Sequence, residues 1–320
     1  MFVVDGFSVK DPLSGYSGNL FINADAIEEL EIVTGGYSAE YGQAMSGAVN
    51  IKLKEGRDYY EGALKYSSDR LLSDNFNSDR VEFNLGGPDF IFETLPRLMG
   101  INSPGRFSFF LNGYGKTYDG NLPVAKKLYP HRYWDSFLLN EKNADNLIER
   151  LASRENNDWH LLYKMTWELT PQKKLSLSYD ASMNINQGYF MPRAFGSTYF
   201  PYRYINILDN YNTITRDTRL INMNWRHTLS TSSYYELTFG KFTTMEHSAV
   251  QDLHWSEYQE RLDLEPINYN VDDTDLDGNI EVTYGDEFYD TGFAPEWYDL
   301  SSQNTRLDVD WTLHTQSGHK

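Results

Sequence analysis

The stretch at residues 158–169, DWHLLYKMTWEL, alternates apolar and polar side chains with a period of two. Its odd positions are all apolar, and Leu162 is the one apolar residue among its even positions. Such a pattern predicts an antiparallel strand with one apolar and one polar face. Stronger and weaker copies of it predict eight strands, at residues 61–67, 80–86, 105–116, 158–169, 175–186, 219–229, 233–244 and 306–314.

A soluble β-sandwich and a membrane β-barrel both contain alternating strands, so strand length helps to separate them. Several of these strands run to ten or twelve residues, about twice the usual length in globular sheets and enough to cross a bilayer at a tilt. Trp159 and Trp167 lie near the two ends of one apolar face, where the aromatic girdles of a barrel would lie. Both features favour the membrane barrel.

The connections between the predicted strands point the same way. In an up-and-down sheet every second connection lies at the same end, which places the tight turns at residues 170–174 and 230–232 together. The three longest connections then lie at the other end, at residues 117–156, 187–216 and 245–304. Short turns opposite long loops are typical of outer-membrane barrels. The connection at 87–104 lies at the same end as the tight turns but is much longer than they are.

Composition excludes several classes of function. The chain has 320 residues, 28 basic and 46 acidic, for a net charge of −18, and no cysteine. A protein this acidic is a poor nucleic-acid binder, because phosphate recognition needs basic surface. Without cysteine there are no disulfides, thiolate nucleophiles or cysteine-ligated metal centres. No run of 18 apolar residues predicts a membrane-spanning helix.

The first 56 residues have a different, glycine-rich α+β pattern. Asp25 and Glu28 have the spacing of a capping box, which predicts a helix of one or two turns before a strand at 30–33. Residues 38–42 predict a second helical turn, and residues 49–53 alternate as another strand. Alone, these residues predict a small α+β unit packed on a larger sheet.

The same residues resemble the plug domain of TonB-dependent outer-membrane receptors. The order VDG, IEELEIV, GG, YG and SGAVNIKLK follows the family's plug over about 50 residues, and TGGYSAEYGQAMSGAVNI is most similar to the Oar-like branch. The matching positions are Asp5, Gly6, Ile27, Glu28, Glu31, Gly35, Gly36, Tyr41, Gly42, Gly47 and Asn50.

The resemblance implies a mainly β fold: residues 1–56 as the C-terminal part of the plug, and residues 57–320 as the first part of an antiparallel transmembrane β-barrel, about eight of 22 strands. It also implies an outer-membrane location in a Gram-negative bacterium and energy from a TonB–ExbB–ExbD complex. Further partners would be outer-membrane lipid and lipopolysaccharide, a small-molecule, peptide or glycan ligand, and a surface lipoprotein. We expect the chain to be part of a longer reading frame, since the family's signal peptide, TonB box and first half of the plug do not precede residue 1.

The receptor would take up a siderophore, vitamin, peptide or glycan, with no catalytic role. One alternative keeps the barrel and gives it a role in export or surface display, with a calcium-dependent adhesive loop. A third, a secreted β-rich carbohydrate-binding protein, requires the plug match to be accidental.

The longest connection carries the pattern of a calcium loop. Fifteen acidic residues and one arginine lie at residues 251–300, so most of the net charge of the chain is there. Carboxylates at alternate positions, a glycine and a further acid follow the order of a calcium-binding loop. The predicted Ca²⁺ ligands in residues 273–287 are Asp273, Asp275, Asp277, Asn279, Glu281 and Asp286. A solvated acidic loop without metal is the alternative.

The remaining candidates for chemistry are weak. No two of the seven histidines have the i, i+4 spacing of metal ligands, so each is interpreted as an ordinary surface or lumen residue. Adjacent acids such as Glu28 and Glu29 point to opposite faces of a strand and do not form a glycosidase pair. We therefore predict no catalytic residue.

Overall fold

The structure is a computed structural model of the 320-residue chain. It describes residues 2–10, 20–33, 47–71, 75–101, 104–120, 125–131, 150–187, 201–258, 271–272, 281–282 and 291–313. No helix in this described part has the length and hydrophobicity needed to span a membrane.

Eight long strands form one antiparallel sheet, called here the large sheet. They are β5 (Glu61–Ser68), β6 (Asp79–Pro88), β7 (Arg106–Tyr118), β8 (Asn156–Thr170), β9 (Lys173–Asn186), β10 (Thr213–Ser230), β11 (Ser233–Ala249) and β14 (Tyr298–Leu313). Their spatial order, β14-β11-β10-β9-β8-β7-β6-β5, follows the chain. All eight correspond to predicted strands, and most extend beyond the predicted bounds because pairing continues past the alternating core.

The register of the large sheet fixes the side of every connection. Thr170 pairs with Lys173, and Ser230 with Ser233, so the two tight turns lie at one end of the sheet, the short-turn end. The connections after β7, β9 and β11 all lie at the opposite, long-connection end. In the last of them, β12 (Val271–Asp272) pairs with β13 (Glu281–Val282) in a separate two-stranded sheet. The fold class inferred from the alternation is thereby confirmed.

A second sheet of four short strands, the small sheet, precedes the large one. Its strands are β1 (Phe2–Val4), β2 (Phe7–Ser8), β3 (Ile27–Val33) and β4 (Ala48–Leu53), in the order β2-β1-β4-β3. The central pair, β1 and β4, is parallel, and the two outer pairs are antiparallel. Residues 49–53 therefore form the strand that the sequence predicts.

One local prediction needs correction, and another is not tested. The helix expected from Asp25 is a single 3-10 turn, Ala24–Ala26, and its cap is Asn23, whose side-chain oxygen accepts from the Asp25 backbone N–H at 3.2 Å. β3 starts at once after it, since the Ile27 backbone is already extended. The predicted turn at 38–42 lies outside the described residues.

The connection between β6 and β7 is long because it is helical. The Asp89 side chain caps a π-helical turn, Phe90–Thr94, which leads into α1 (Leu95–Leu98). Its apolar side chains stay exposed, with Leu98 76 % and Ile91 64 % accessible. This segment accounts for the length that the alternation did not explain.

The main core lies between the two sheets. The even-numbered face of β8 to β11, the inner face, is mostly polar, but a few apolar residues interrupt it where the small sheet packs. Leu162, the exception in the alternating pattern of β8, is one of them and is fully buried. The core consists of Val4, Phe7, Val9, Ala26, Ile51 and Leu53 against Phe110, Leu162, Leu220 and Phe242.

Candidate functional site

The hairpin between β1 and β2 presents a carboxylate to the large sheet. Asp5 and Gly6 form its two-residue turn with φ of 43° and 83°, the left-handed values that a type I′ turn requires and that Asp-Gly supplies well. The Asp5 backbone N–H donates to Ile51 O at 2.9 Å, and its Oδ1 accepts from Leu53 N–H at 3.0 Å. The turn is therefore tied to β4, and Oδ2 remains to face the large sheet.

Four charged residues, called here the anchor network, join the two sheets: Asp5, Glu55, Lys164 and Lys174. Lys164 Nζ lies 2.9 Å from Asp5 Oδ2 and 3.4 Å from Glu55 Oε1. The same ammonium donates to the Leu53 carbonyl at 3.1 Å. Lys174 Nζ lies 2.5 Å from Glu55 Oε2. Two carboxylates of the N-terminal region are thus held by two lysines of β8 and β9.

Burial makes the charged groups of this network depend on one another. The Lys164 side chain is 3 % exposed, so its charge depends on its partners rather than on water. Burial by itself raises the pKa of Glu55, but the charges and hydrogen bonds of Lys164 and Lys174 outweigh it and hold that pKa below its usual value. Removing one lysine therefore leaves a partly buried carboxylate without full compensation.

Close packing and a second hydrogen bond fix the same hairpin. Asn222 Nδ2 of β10 donates to the Asp5 carbonyl at 3.0 Å. The Phe7 ring is fully buried against Gly240 of β11, where a Cβ would lie 2.3 Å from Phe7 Cδ2. Glycine at position 240 therefore makes the space that the ring occupies.

A cavity of about 620 Å³ lies toward the long-connection end of the inner face. Phe21, from the segment before the small sheet's 3-10 turn, lines it, and the centroid of its ring lies 4.7 Å from that of Tyr114 and 5.6 Å from that of His160. Polar side chains of β8 to β11 form its wall, among them Asp158, Asn184, Arg216 and Glu246. The cavity thus opens where the three longest connections emerge.

Paired charges order the wall of this cavity. Arg216 Nε and a second guanidinium nitrogen bind Glu246 at 2.8 and 3.1 Å, and the Tyr298 hydroxyl donates to the same carboxylate at 2.6 Å. Asn184 Nδ2 donates to Asp158 Oδ1 at 2.6 Å. These are hydrogen-bonding groups of both signs, suited to a polar ligand.

A second space, of about 510 Å³, lies between the two sheets toward the short-turn end. Asn50 and Lys52 of β4 line one side, and Arg226, Glu236 and Asp308 of the large sheet line the other. The anchor network lies at the edge of this space. The contact between the small sheet and the large sheet therefore lies between two polar cavities.

The structure places only some of the motif residues selected from the sequence. Asp5 and Gly6 lie where the two sheets meet. Gly47 directly precedes β4, and Asn50 belongs to it. Ile27, Glu28 and Glu31 lie in β3. Four others, Gly35, Gly36, Tyr41 and Gly42, lie outside the described residues.

The predicted calcium ligands stay untested. Asp273, Asp275, Asp277, Asn279 and Asp286 lie outside the described residues, and Glu281 is described only as backbone in β13. Strands β12 and β13 flank residues 273–280 on both sides.

Lys164, Lys174 and Asn222 are site residues that sequence reasoning missed. The motif comparison selected Asp5, but no spacing in the chain connects Asp5 with Lys164 and Asn222, or Glu55 with Lys174. The apolar Leu162 in a polar face was the one signal of contact at that point. Sequence reasoning also missed the contact between His131 and His247, whose rings stack with centroids 3.8 Å apart.

Comparison with known proteins identifies the small-sheet region. Residues 1–49 match the TonB-dependent Receptor Plug Domain. A 63-residue segment is 30 % identical to the TonB-dependent transporter Oar of Myxococcus xanthus, and it covers 20 % of this chain and 6 % of that protein. The resemblance drawn from the motif residues is thereby confirmed.

Several solved receptors are similar in structure over part of their length. The chain is 14 % identical to pyoverdine-bound FpvA of Pseudomonas aeruginosa, with a TM-score of 0.45 over 77 % of this chain and 28 % of that one. It is 18 % identical to the ferric enterobactin receptor of Pseudomonas aeruginosa, with a TM-score of 0.44 over 77 % of this chain and 33 % of the receptor. The chain thus spans about a third or less of these proteins.

Proposed function

We propose that this chain, whose first 49 residues match a TonB-dependent receptor plug, is part of an outer-membrane receptor that takes up a ligand with energy from a TonB–ExbB–ExbD complex. Residues 1–56 would be the C-terminal part of the plug, and residues 57–320 the first part of the barrel. The observation that carries the proposal is the packing of the plug-matching sheet on the polar inner face of an eight-stranded antiparallel sheet.

The two faces of the large sheet support a membrane location. Central outer-face residues such as Leu161, Ile221 and Phe239 are apolar and 40 to 50 % exposed. The inner face carries buried polar residues such as Asn112 and Asp180. Apolar outside and polar inside is the pattern of an outer-membrane barrel, because lipid replaces water on the outside.

The cavity lined by Phe21 supports a role in ligand capture. It opens toward the connections at 117–156, 187–216 and 245–304, which we propose are external loops. A ligand entering there would meet hydrogen-bonding groups of both signs and the ring of Phe21. The anchor network would hold the plug in place until energy is delivered from the short-turn end.

Fractionation of the natural full-length protein tests the location. We expect it in the outer membrane, with gel mobility that changes on heating because a folded barrel resists detergent. A soluble product with unchanged mobility would contradict the proposal.

Growth tests the transport role separately. A deletion strain on defined iron, cobalamin, peptide or glycan sources should lose growth on one of them, and a strain without TonB should show the same loss. A membrane-located protein whose deletion changes growth on none of these sources would support a role in surface display instead.

A further inference from the structure

Two histidines and one aspartate from distant parts of the chain meet at the long-connection end, and we call them the outer histidine cluster: His131, His247 and Asp252. His131 Nδ1 lies 2.7 Å from Asp252 Oδ1, and His247 Nε2 lies 3.5 Å from the same oxygen. One ligand atom from each residue lies within 4.8 Å of the other two. The three groups therefore converge on one point.

Regular structure holds two of the three residues. His247 belongs to β11 and pairs with Thr215 of β10. The Thr215 hydroxyl accepts from the His131 backbone N–H at 2.9 Å, which fixes the segment after β7 beside the same strand pair. The cluster thus joins three parts of the chain that are far apart in sequence.

A tight turn positions the third residue. Gln251 and Asp252, which follow β11 after Val250, have φ of 54° and 56°, and Leu253 N–H donates to Val250 O at 3.0 Å. Left-handed values at both central residues are those of a type I′ turn, which reverses the chain sharply. The Asp252 carboxylate is thereby directed back toward His247.

The His247 ring has the features of an unused ligand. Its side chain is 6 % exposed, and in the described structure both ring nitrogens are buried without a hydrogen bond. A buried polar atom without a partner is costly, and a metal ion is one group that satisfies it. Asp299 lies 3.9 Å from Nδ1, on the side away from Asp252 Oδ1, where outer-shell carboxylates orient metal-binding imidazoles.

We propose that the outer histidine cluster binds a divalent transition-metal ion, with His131 Nδ1, His247 Nε2 and an Asp252 oxygen as ligands. Two imidazoles and a carboxylate suit Zn²⁺, which takes three protein ligands and leaves a fourth position for water. At metal–ligand bonds of about 2.0 to 2.1 Å, tetrahedral ligands lie about 3.3 Å apart. The 3.5 Å separation of His247 and Asp252 already matches that value.

The site is independent of the ligand cavity and of the predicted calcium loop. His247 and Thr215 are odd-numbered residues at the outer-face side of strands whose even-numbered residues line the cavity. The ligands also differ in type from the all-oxygen set that calcium prefers. A bound ion would fasten the segment at 125–131 to the ends of β10 and β11.

The test uses the intact natural protein in detergent, stripped with a chelator and titrated with ZnCl₂. We expect Zn²⁺ binding that His131→Gln, His247→Gln and Asp252→Asn each weaken at least tenfold or abolish, with the loss of one bound equivalent. The matched control is His254→Gln, because this exposed histidine caps a 3-10 turn and lies outside the cluster. It should bind as the unmodified protein does.

Cobalt substitution supplies a second readout. Co²⁺ bound to the unmodified protein should show visible absorption of a four-coordinate site, and the Asp252→Asn variant should lose it while keeping heat-modifiable mobility. Unmodified protein that binds no Zn²⁺ overturns the proposal without reference to any variant. Equal stoichiometry and affinity in the folded cluster variants, or an equal loss in His254→Gln, overturns it as well.

Discussion

The ring of Phe7 occupies the space that a side chain on Gly240 would fill. A Cβ at Gly240 would lie 2.3 Å from Phe7 Cδ2 and 2.6 Å from Cε2, closer than real contacts allow. Phe7 belongs to β2 of the small sheet and Gly240 to β11 of the large sheet, so this contact determines how closely the two sheets approach.

Substitution of Gly240 by alanine should loosen the small sheet. The extra methyl group forces Phe7 to move, and overpacking of this kind costs about 1 to 3 kcal/mol. The measurement is amide hydrogen exchange of β1 and β4 in the purified protein, which should become faster. In the Phe7→Ala background, where the ring is gone, Gly240→Ala should add almost nothing, and additive effects of the two changes would contradict the contact.

Replacing Lys164 by methionine should destabilise the junction more than replacing a lysine elsewhere. The change leaves the partly buried Asp5 and Glu55 without the Lys164 ammonium. Removing one partner of a fully buried pair costs about 3 to 5 kcal/mol, and we expect a smaller loss here because both carboxylates keep some contact with water. Chemical unfolding of the small sheet, followed by its sensitivity to protease, measures the loss of stability. Lys241→Met, on the outer face of β11, is the control, and a similar effect of both changes would argue against the network.

Acid should release the same junction through Glu55. Its pKa is lowered in the folded protein, because the two lysines outweigh the effect of burial. A group with a lowered folded pKa contributes stability above its unfolded pKa, here about 4.5, and loses it as the pH falls through the folded pKa. Protection of the small sheet against amide hydrogen exchange should therefore decrease below about pH 4.5. The Glu55→Gln variant should show a weaker dependence of this protection on pH in the same range.

A charge on the middle of the outer face should block membrane folding. Ile221 lies near the middle of β10 and is 50 % exposed on that face. Arginine at the midplane of a membrane barrel costs about 2 to 4 kcal/mol, and about 0 to 1 near the interface. Ile221→Arg should therefore reduce folding into lipid vesicles strongly, whereas Leu229→Arg, near the short-turn end, should reduce it little. Equal tolerance of both would contradict a membrane-facing surface.

The acidic loop gives a separate prediction for calcium. The protein should bind Ca²⁺ with loss of at least tenfold in affinity when Asp275 and Asp277 are both changed to asparagine, because the site loses two charges. Calorimetry with CaCl₂ measures it. The control is Asp308→Asn in β14, and a protein that binds no Ca²⁺ without any substitution would contradict the predicted site.

Strand positions were predictable because alternation is a local property of the chain. Each residue of β8 or β9 reports its own face, and the repeats at 158–169 and 175–186 are nearly complete. The helix at Asp25 was predicted wrongly for the opposite reason. Its spacing suits a capping box, but pairing of Ile27 onward with β4 takes the backbone into a strand.

Contacts between distant residues were not predictable from the pattern. His131 and His247 are 116 positions apart, and no spacing rule connects them. In the sequence Lys164 is one polar residue of an alternating strand, and only the structure shows that Asp5 lies beside it. Leu162 shows what local information remained: an apolar residue in a polar face marks where another part of the protein packs.

The parallel pairing of β1 with β4 has a mechanical consequence. Phe2 pairs with Val49 and Val4 with Ile51, so the two strands run in the same direction. A force that pulls on β1 at Phe2 is resisted at the other end of β4, where the chain continues to Glu55. The two strands are then pulled along their length in opposite directions. The hydrogen bonds between them are then sheared together, whereas a force across the strands would break them one after another. The small sheet is therefore arranged to transmit tension into the anchor network before its central pair separates.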